Sequence, residues 1–409
     1  SVVFMSALKA STGSDYGFIN APGFRESFYF INSLGSIEKG AWNYHDAGEG
    51  RIDSGLYFWF ASNTGDKNIG GLRYNSIMEG FNLPGYWDMI WYAPDIYTTD
   101  IDLSLDAAYY GIDTVTFRSD WTKNALFCGL HGGANNASHG NLDIGNFILE
   151  YGGTRFFIDL GSDEYNLKHD DYREGKVVIY FSTPYRYWLY RERAEGQNTL
   201  VIDPTRVNIS ITNSGSDSVQ GKNYDQLYSA VSELTRFESS EDSALAVVDM
   251  GCAYREALNG VRGMLVTDDR STVIIQDEIT FNDNSAHTVY WMGHVGYTTV
   301  NGQRVSAKIT ISEDKKSAVI ELEGKSLLCT IVVPEGYESD FYFEVQSASY
   351  LPETGLTNGR NEYSREGIQK LVAKSTNCTG EIKLAIVCRL LSDGPYDYTW
   401  TDIADWTVE

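Results

Sequence analysis

The feature that most constrains the fold is a succession of short β-prone runs that begins near residue 96 and continues almost to the end of the chain. The run 113–119 alternates polar and apolar side chains with a period of two, which is typical of a strand. Gly, Asp and Pro separate the runs, and Gly152-Gly153 between two of them is typical of a hairpin turn. Many short strands joined by turns predict a mainly β fold of large stacked antiparallel sheets, and the absence of a fixed-period repeat argues against a propeller. The other predicted strands are 146–151, 154–160, 176–181, 198–202, 271–279, 288–291, 305–311, 317–322, 327–333 and 382–390.

The first 92 residues have a different pattern, with predicted short helices at 2–10, 26–33 and 56–62. Asp53 or Ser54 is a candidate cap for the third helix, and the loop 40–46 is rich in polar and aromatic side chains. Helices this short would form a poor independent core. We therefore interpret 1–92 as the C-terminal end of a larger helical domain and 93–409 as a β domain, with a further division near 300 as an alternative. The polar stretch 212–243 is predicted to be a long surface excursion.

Charge and composition exclude several classes of partner. The chain has 409 residues, 32 basic and 56 acidic side chains, and a formal net charge of -24. Such a surface repels nucleic acid and anionic lipid, and no apolar run is long enough to span a membrane. The five cysteines are widely spaced without a CxxC pair, which predicts mostly buried thiols. The N-terminal sequence does not have the pattern of a signal peptide. We expect a periplasmic or secreted location if a signal peptide has been removed, and otherwise a cytoplasmic one.

Two segments contain candidate site residues. His139, Asn141 and Asp143 occupy alternate positions just before an apolar strand, and the Gly152-Gly153 turn would return Asp159 to the start of that strand. A polar sheet edge with a turn Asp is the alternative.

The second segment, 184–194, combines three Arg, one Glu and several aromatic side chains, which makes it locally basic. Arg presents a planar fork of donors that matches carboxylate or sulfate oxygens. If the segment is a strand, alternation would place Arg191 and Arg193 on one face. The alternative is a salt-bridged strand pair involving Glu192 and Glu195.

These segments carry a resemblance to a known family. His139-Gly-Asn141-Leu-Asp143-Ile-Gly145-Asn-Phe147, Asp159-Leu-Gly161 and Gln197-Asn198-Thr199-Leu200 resemble, in order and spacing, the motifs of the heparinase II/III-like polysaccharide lyases. The family pattern is His-x-His-x-Asp-x-Gly-x-Phe, then Asp-x-Gly, then His-Asn-Thr-Leu. The resemblance implies an N-terminal (α/α) toroid followed by a large antiparallel β-sandwich. This chain would contain the last toroid helices and the whole sandwich.

The resemblance implies cleavage of a uronic-acid-containing glycan by β-elimination. His139 matches the motif His that acts at the catalytic centre, as a base or in neutralising the uronate carboxylate. Tyr165 is a weaker candidate for proton transfer. Tyr44, His45, Arg191, Arg193 and His294 are candidates for substrate binding, although a structural role for His294 is equally open. His131 and His169 receive no role. The catalytic Tyr and the Asn or His of the toroid have no counterpart in this sequence.

The metal ligands of the family are altered in this sequence. Asp159 matches the metal Asp, but Asn141 and Gln197 replace the two His ligands that hold zinc in several members. Amides bind zinc poorly, so the resemblance implies either a harder ion such as calcium or manganese or a metal-free hydrogen-bond network, and no cofactor is certain.

Three functions remain open from the sequence: a polysaccharide lyase, a uronate C5-epimerase of related fold, and a non-catalytic glycan-binding β-sandwich. The expected partners are an anionic uronate-containing glycan and an upstream α/α toroid region, in the same protein or in a separate fragment. The sequence does not specify the glycan, the mode of attack or the oligomeric state.

Overall fold

The computed structural model describes residues 1–50, 53–165, 185–204, 226–355 and 362–408. The predicted strand 176–181 and residues 212–225 of the predicted polar excursion lie outside the described residues, as does His169.

Five α-helices form the N-terminal part of the described chain. The three predicted helices are confirmed, and two more follow them. The helices are α1 (Val2–Thr12), α2 (Glu26–Ser33), α3 (Leu56–Thr64), α4 (Lys67–Met78) and α5 (Tyr86–Trp91). Apolar side chains from α1 to α4 form one buried cluster, which includes Met5, Phe28, Phe60 and Ile69. None of the helices in the described residues is both long and apolar enough to cross a lipid bilayer.

Helix α4 was missed because Gly70 and Gly71 lie at its centre, where glycine is intrinsically unfavourable. The structure supplies the reason for both glycines. A Cβ atom on Gly70 would lie 2.3 Å from the carbonyl oxygen of Ile96, and one on Gly71 would lie 1.9 Å from that of Thr98. The glycines therefore allow the chain that enters the β region to cross the helix at close range.

Two large antiparallel sheets follow the helices, as predicted. The first sheet has nine strands in the order β21-β22-β15-β8-β7-β5-β4-β3, with β9 also paired to β15. The second sheet has eight strands in the order β11-β12-β13-β14-β23-β20-β19-β18. The strands are β1 (Gly35–Ser36), β2 (Gly40–Ala41), β3 (Ala107–Tyr109), β4 (Thr114–Arg118), β5 (Phe127–His131), β6 (Gly133–Ala134), β7 (Phe147–Tyr151), β8 (Thr154–Phe157), β9 (Leu200–Ile202), β10 (Val231–Ser232), β11 (Leu234–Ser239), β12 (Ala244–Asp249), β13 (Ala257–Thr267), β14 (Thr272–Phe281), β15 (Ala286–Val295), β16 (Tyr297–Val300), β17 (Gln303–Ser306), β18 (Lys308–Ile311), β19 (Ser317–Leu322), β20 (Lys325–Val332), β21 (Tyr342–Ser347), β22 (Gln369–Thr379) and β23 (Glu381–Leu390).

The main core joins the two sheets and makes the fold a sandwich. Phe117 and Leu149 of the first sheet belong to the same buried cluster as Ile275 and Ile386 of the second. The hydroxyl of Tyr151 donates to the carbonyl oxygen of Cys388 at 2.9 Å, which links the sheets through a buried polar contact. Four of the five cysteines are buried and all five are free thiols, in agreement with the sequence prediction.

Some strand predictions need correction. The predicted strand 305–311 is interrupted, because β17 ends at Ser306 and β18 begins at Lys308. The described part of the predicted excursion 212–243 contains the strands β10 and β11. Its polar composition arises because β11 is an edge strand of the second sheet with several half-exposed side chains. The proposed domain boundaries at 92 and near 300 stay predictions.

Candidate active site

Asp46 is the centre of the candidate site, because three side chains from distant parts of the sequence converge on its carboxylate. The loop that follows β2 brings this nearly buried carboxylate next to the segment that precedes β7. The hydroxyl of Tyr165 donates to Asp46 Oδ2 at 2.8 Å, and His139 Nδ1 lies 3.0 Å from the same oxygen. The guanidinium of Arg186 donates to both carboxylate oxygens, at 2.6 and 3.0 Å. The sequence singled out the loop 40–46 but gave Asp46 no role.

His139 is the exposed member of this group, with 57% of its side chain accessible to solvent. Its backbone has a φ of 62°, in the left-handed region, and its Nδ1 also lies 3.2 Å from the hydroxyl of Tyr165. Its other ring nitrogen, Nε2, has no hydrogen-bond partner among the described residues. The structure therefore brings together the two predicted catalytic residues, His139 and Tyr165, around an unpredicted carboxylate.

The phenol of Tyr165 stays protonated at neutral pH. Partial burial and the hydrogen bond to Asp46 together raise the pKa of Tyr165 to about 12. A protonated phenol beside a His is a suitable proton donor.

The segment 139–146 does not form the strand end that was predicted. Strand β7 begins only at Phe147, and the preceding residues form turns. The expectation that His139, Asn141 and Asp143 share one face is therefore wrong, because His139 is exposed whereas the other two are buried and point to different partners. Asn141 accepts a hydrogen bond from Arg186 at 2.6 Å, and Asp143 lies beside His45.

The hairpin formed by β7 and β8 brings Asp159 back beside the start of β7, as predicted. Gly152 and Gly153 have φ of 58° and 79° between β7 and β8. Asn146, next to the first residue of β7, donates to Asp159 Oδ2 at 2.6 Å. Burial and the nearby Asp143 carboxylate raise the pKa of Asp159 to about 7, against the opposing effect of hydrogen bonds from Gly161 and Asn146.

The three predicted metal ligands do not make a site suited to zinc. Both oxygens of Asp159 already accept hydrogen bonds, from Asn146 and from the backbone of Gly161. The Asn141 oxygen accepts from the cationic Arg186, and the Gln197 amide nitrogen donates to the carbonyl of Arg191. No hydrogen bond joins the three side chains to one another within the described ranges. Amide oxygens that face a guanidinium are poor zinc ligands, so we derive no catalytic step through a metal at this position.

A second polar cluster lies behind Asp46. His45 Nε2 lies 3.2 Å from Asp143 Oδ1 and 3.1 Å from His131 Nε2. Burial lowers the pKa of His131 to about 3 despite the nearby Asp143 carboxylate. Burial also opposes protonation of His45, but Asp143 more than offsets it, so the pKa of His45 is raised. Tyr44 covers the cluster, with its ring 4.6 Å from the ring of His131. The predicted residues Tyr44 and His45 thus lie beside the candidate site. His131 received no role from the sequence, because the residues that it contacts are far away in the sequence.

The arginines of 184–194 are paired with carboxylates rather than exposed. Arg193 is fully buried and donates to Glu195 at 3.1 Å. Arg191 is also buried, 3.9 Å from Asp163, and donates to the carbonyl of Leu160. The expectation that both point from one strand face is wrong, because the segment forms three short 3-10 helices, Tyr185–Trp188, Tyr190–Glu192 and Ala194–Gly196. Binding of substrate anions by these arginines stays a prediction.

His294 lies inside the first sheet. It is fully buried on β15, with Nε2 2.8 Å from the hydroxyl of Tyr190 and Nδ1 3.1 Å from the Asn198 oxygen. Burial and nearby cations hold the pKa of His294 well below its ordinary value. These contacts are those of a structural histidine, and its predicted contact with substrate stays untested.

The comparison with protein families identifies this architecture. A family model described as heparinase II/III-like, C-terminal, matches residues 104–341, which is more than half of the chain. The chain belongs to the heparinase II/III-like family. The match covers the motifs around His139, Asp159 and Gln197, so the predicted family is confirmed. No protein with a curated description matches the chain at a significant level.

Solved structures of the heparinase III type share the fold. A structure of heparinase III superposes with a TM-score of 0.59 at 13% identity, covering 95% of this chain and 52% of that one. The heparan sulfate lyase HepC from Pedobacter heparinus gives 0.58 at 13%, with coverage of 95% and 52%. The heparinase III BT4657 gene product gives 0.58 at 14%, with coverage of 95% and 51%. The chain thus spans about half the length of these structures, and at such identities the likeness shows the fold alone.

Proposed function

We propose that this chain carries the β-sandwich part of the active site of a polysaccharide lyase, which cleaves an anionic, uronate-containing glycan by β-elimination. The observation that carries the proposal is the group formed by Asp46, His139 and Tyr165. An exposed imidazole and a protonated phenol share one buried carboxylate. The motif that supplies His139 lies within the segment that matches the lyase family.

The carboxylate of Asp46 prepares His139 to act as a base. An Nδ1–H of His139 can donate to Asp46 at 3.0 Å, which leaves Nε2 without a proton on the exposed side of the ring. A buried carboxylate that orients an imidazole in this way is a recurrent device of acid–base catalysis. Arg186 contacts both Asp46 oxygens and so compensates the charge of the buried carboxylate.

The reaction needs a base and an acid. Nε2 of His139 removes the C5 proton of the uronate, and the electron pair left on carbon forms the C4–C5 double bond. The bond from C4 to the bridging oxygen breaks, and the departing oxygen takes a proton from Tyr165. Each arginine of the described segment 185–204 contacts a carboxylate, so we propose that the group that neutralises the uronate carboxylate comes from outside this segment. In the family, that group belongs to the toroid.

Electrostatics disfavours one cleft near the helices as a site for a polyanion. A cleft of about 400 Å³ lies between the helices and the first sheet. Its lining includes the carboxylates of Asp53, Glu79, Asp100 and Asp120 and one cation, Lys123. An excess of carboxylates repels an anionic glycan, which supports the His139 site instead.

A stretch of exposed apolar side chains between the end of α4 and the end of α5 supports a helical partner. Met78, Leu83, Tyr86, Met89 and Ile90 are each at least 60% exposed, within a stretch of 13 residues. Exposed apolar patches mark interaction surfaces. We propose that further helices of an α/α toroid, in the same protein or in a separate fragment, pack here. Hydrogen exchange at 78–90 should slow when the chain is studied together with such a helical region, and unchanged exchange would contradict the proposal.

The decisive assay distinguishes the lyase from its two alternatives. The chain, alone and together with a helical partner, is incubated with heparan sulfate, chondroitin sulfate, hyaluronan and alginate. A lyase produces the ultraviolet absorbance of an unsaturated uronate. Solvent deuterium at C5 without cleavage would indicate an epimerase, and binding without either reaction would indicate a glycan-binding module.

The His139→Ala variant tests the assigned base. We expect turnover to fall by about 10²–10⁴-fold with an unchanged melting temperature, because the imidazole is exposed and contributes little to the core. His287→Ala is a control for the loss of another carboxylate-bound imidazole, that of the buried His287 beside Asp203 and Asp283, and its melting temperature is measured in parallel. Full activity of the His139→Ala variant would remove His139 from the mechanism.

A further inference from the structure

His45, His131 and Asp143 form a cluster to which neither the family motifs nor the proposed reaction gives a function. His45 comes from the loop after β2, His131 from the end of β5, and Asp143 from the segment before β7. The carboxylate of Asp143 and the ring of His131 are buried, and that of His45 is mostly buried. Three segments that are distant in the sequence therefore bring three potential metal ligands to one point.

The spacing of the three ligand atoms fits a bound ion. The two Nε2 atoms are 3.1 Å apart, and Asp143 Oδ1 lies 3.2 Å from the Nε2 of His45 and 3.9 Å from that of His131. Ligands held about 2.0–2.1 Å from a tetrahedral zinc ion are separated by about 3.3–3.4 Å. The three measured separations, 3.1, 3.2 and 3.9 Å, lie on both sides of this value. One ion near the centre of the triangle formed by the three ligand atoms therefore reaches all of them with small adjustments of the side chains.

The hydrogen bonds around His131 favour a tautomer in which the lone pair of Nε2 faces the other two ligand atoms, on His45 and Asp143. The hydroxyl of Thr114 donates its single hydrogen to the carbonyl oxygen of Ile112 at 3.1 Å. Thr114 Oγ1 can then accept from the Nδ1–H of His131, 2.8 Å away, and this tautomer leaves Nε2 unprotonated. A ligand histidine whose second nitrogen donates to a fixed acceptor is typical of metal sites. The backbone of His131 is also held on both sides, by Asn146 and Gly145.

The buried carboxylate of Asp143 independently supports a bound cation. Its carboxylate is 1% exposed, yet neither oxygen has a hydrogen-bond partner among the described residues. A buried carboxylate without donors is costly unless a nearby positive charge compensates it. His45 approaches one oxygen, but its Nε2 also faces the unprotonated Nε2 of His131, and one N–H is a poor match for two acceptors. A divalent cation satisfies all three groups at once.

We infer that His45, His131 and Asp143 bind one divalent transition-metal ion, of which zinc fits the ligand set best. Two imidazole nitrogens and one carboxylate oxygen suit zinc and its first-row neighbours, whereas calcium and magnesium prefer sets made only of oxygen. The ion would join the loop that carries Asp46 to the first sheet, because His45 and Asp46 are adjacent. The site is distinct from the motif positions Asn141, Asp159 and Gln197, and it does not depend on the proposed lyase activity.

Metal binding itself tests the inference. The full chain is freed of metal with a chelator, and zinc, cobalt, manganese and calcium are titrated separately by calorimetry. We expect one zinc ion per chain, a visible absorption band for cobalt in a low-coordinate nitrogen and oxygen site, and no saturable binding of calcium at the same concentrations. A chain that binds no zinc, or that binds calcium at least as tightly as zinc, would overturn the assignment.

Matched variants locate the ion. Asp143→Asn and His131→Gln should each weaken zinc binding by more than about 100-fold. Thr114→Val, which removes the acceptor for His131 together with the hydrogen bond to the carbonyl of Ile112, should weaken it by about 10–100-fold. His287→Gln is the control, because His287 contacts two carboxylates on another part of the surface. Asp159→Asn tests the motif position and should weaken binding by less than about tenfold.

Melting temperatures separate the loss of a ligand from the loss of the fold. Each metal-free variant is melted first, and Thr114→Val provides a mild change if Asp143→Asn does not fold. Zinc should raise the melting temperature of the unmodified chain and of the His287→Gln variant, but not that of the Asp143→Asn or His131→Gln variants. An equal zinc shift in the Asp143→Asn variant, or a loss of binding only in the Asp159→Asn variant, would refute the inference.

Discussion

At the scale of single residues, Asp46 determines the chemistry available at the candidate site. Its carboxylate contacts His139, Tyr165 and Arg186, and it accounts for part of the raised pKa of Tyr165. A neutral residue of the same size at this position would remove the negative charge but keep the packing. The Asp46 carboxylate therefore adds to burial, the larger cause, in raising the pKa of Tyr165.

The Asp46→Asn variant tests this conclusion without an activity assay. We expect the pKa of Tyr165 to fall from about 12 towards its ordinary value of 10, because the carboxylate that disfavours the phenolate is lost while partial burial remains. Carbon-13 labelling of the tyrosine rings and a pH titration by NMR measure the pKa, and the Tyr165→Phe variant assigns the signal. An unchanged pKa would show that burial alone produces the shift.

The sequence predicted this site only in part, for a reason that lies in the distance between its members. His139 and Asp159 lie in local motifs, and the hairpin predicted that Asp159 returns to the start of β7. Asp46 lies 93 positions from His139 in the sequence, and the two meet only through the packing of a loop against the sandwich. His131 was missed for the same reason. Motifs identify residues that are close along the chain, whereas the carboxylate that orients His139 comes from another part of the fold.

At the scale of elements, one ion pair fixes the second sheet to the candidate site. Arg262 of β13 and Asp277 of β14 are fully buried and joined by two hydrogen bonds of 2.7 Å. Arg262 also donates to the backbone carbonyls of Gly145 and Asn198, at 2.7 and 3.1 Å. The pair thus supports the segments that carry the motif residues Asp143 and Gln197.

Loss of Asp277 should destabilise the sandwich strongly. In the Asp277→Ala variant, the guanidinium of Arg262 stays buried without its carboxylate, so the free energy of unfolding should fall by about 3–5 kcal/mol. Urea denaturation followed by fluorescence measures this change. The double variant Arg262→Met/Asp277→Leu is the control and should lose less, because it leaves no unpaired charge. A smaller effect of the single variant than of the double one would contradict this account.

The glycines of α4 provide a second test at this scale. Alanine normally stabilises the interior of a helix by about 1 kcal/mol relative to glycine. A Cβ on Gly71 would collide with the carbonyl oxygen of Thr98, so the Gly71→Ala variant should instead lose about 1–3 kcal/mol. The exposed Met78→Ala substitution in the same helix should change the stability by less than about 0.5 kcal/mol. Stabilisation by Gly71→Ala would show that the segment 96–98 moves away at little cost.

Some elements were predicted from the sequence and others were missed, again for physical reasons. The strand 317–322 was predicted with its observed bounds, because its apolar side chains alternate and only one set is buried. Strand β5 was missed because its sequence does not alternate polar and apolar side chains. Helix α4 contradicts intrinsic propensity, because tertiary contact requires its two glycines. Local sequence patterns therefore predict elements with one buried face better than elements whose sequence is constrained by tertiary contacts with several other segments.

At the scale of the whole molecule, the net charge of -24 conflicts with an anionic substrate, and the expected local excess of arginine does not resolve the conflict. Arg186, Arg191 and Arg193 each contact a carboxylate within the described part of the chain. The long-range field of the chain should therefore slow the approach of a polyanion. Added salt should accelerate this association, because screening over about 8–10 Å weakens the repulsion. Stopped-flow measurements of heparan sulfate binding between low and physiological salt test this prediction, and slower association at higher salt would reveal a cationic surface that dominates the encounter.

The stability of the whole molecule should also depend on pH through its buried histidines. His294 is fully buried, and its pKa is held well below the ordinary value of 6.5, so the folded state excludes a proton that the unfolded chain binds. Its contribution to stability is complete above pH 6.5 and is lost by about 1.4 kcal/mol per pH unit as the pH falls below that value. His131 acts in the same direction, because its pKa is lowered to about 3. Asp159 acts in the opposite direction, because a pKa raised to about 7 favours the folded state at low pH.

Because these effects overlap, the contribution of His294 is best measured as a difference. The His294→Gln variant keeps hydrogen-bonding capacity towards Tyr190 and Asn198 but cannot titrate, while His131 and Asp159 are unchanged. Urea denaturation of both proteins at pH 7.5, 6.5 and 5.5 gives the free energy of unfolding at each pH. The variant should be less stable at pH 7.5 and should recover about 1.4 kcal/mol relative to the unmodified chain between pH 7.5 and 5.5. A difference that does not change with pH would mean that the folded protein admits the proton at His294, and that the interior of the first sheet is more accessible to water than its burial indicates.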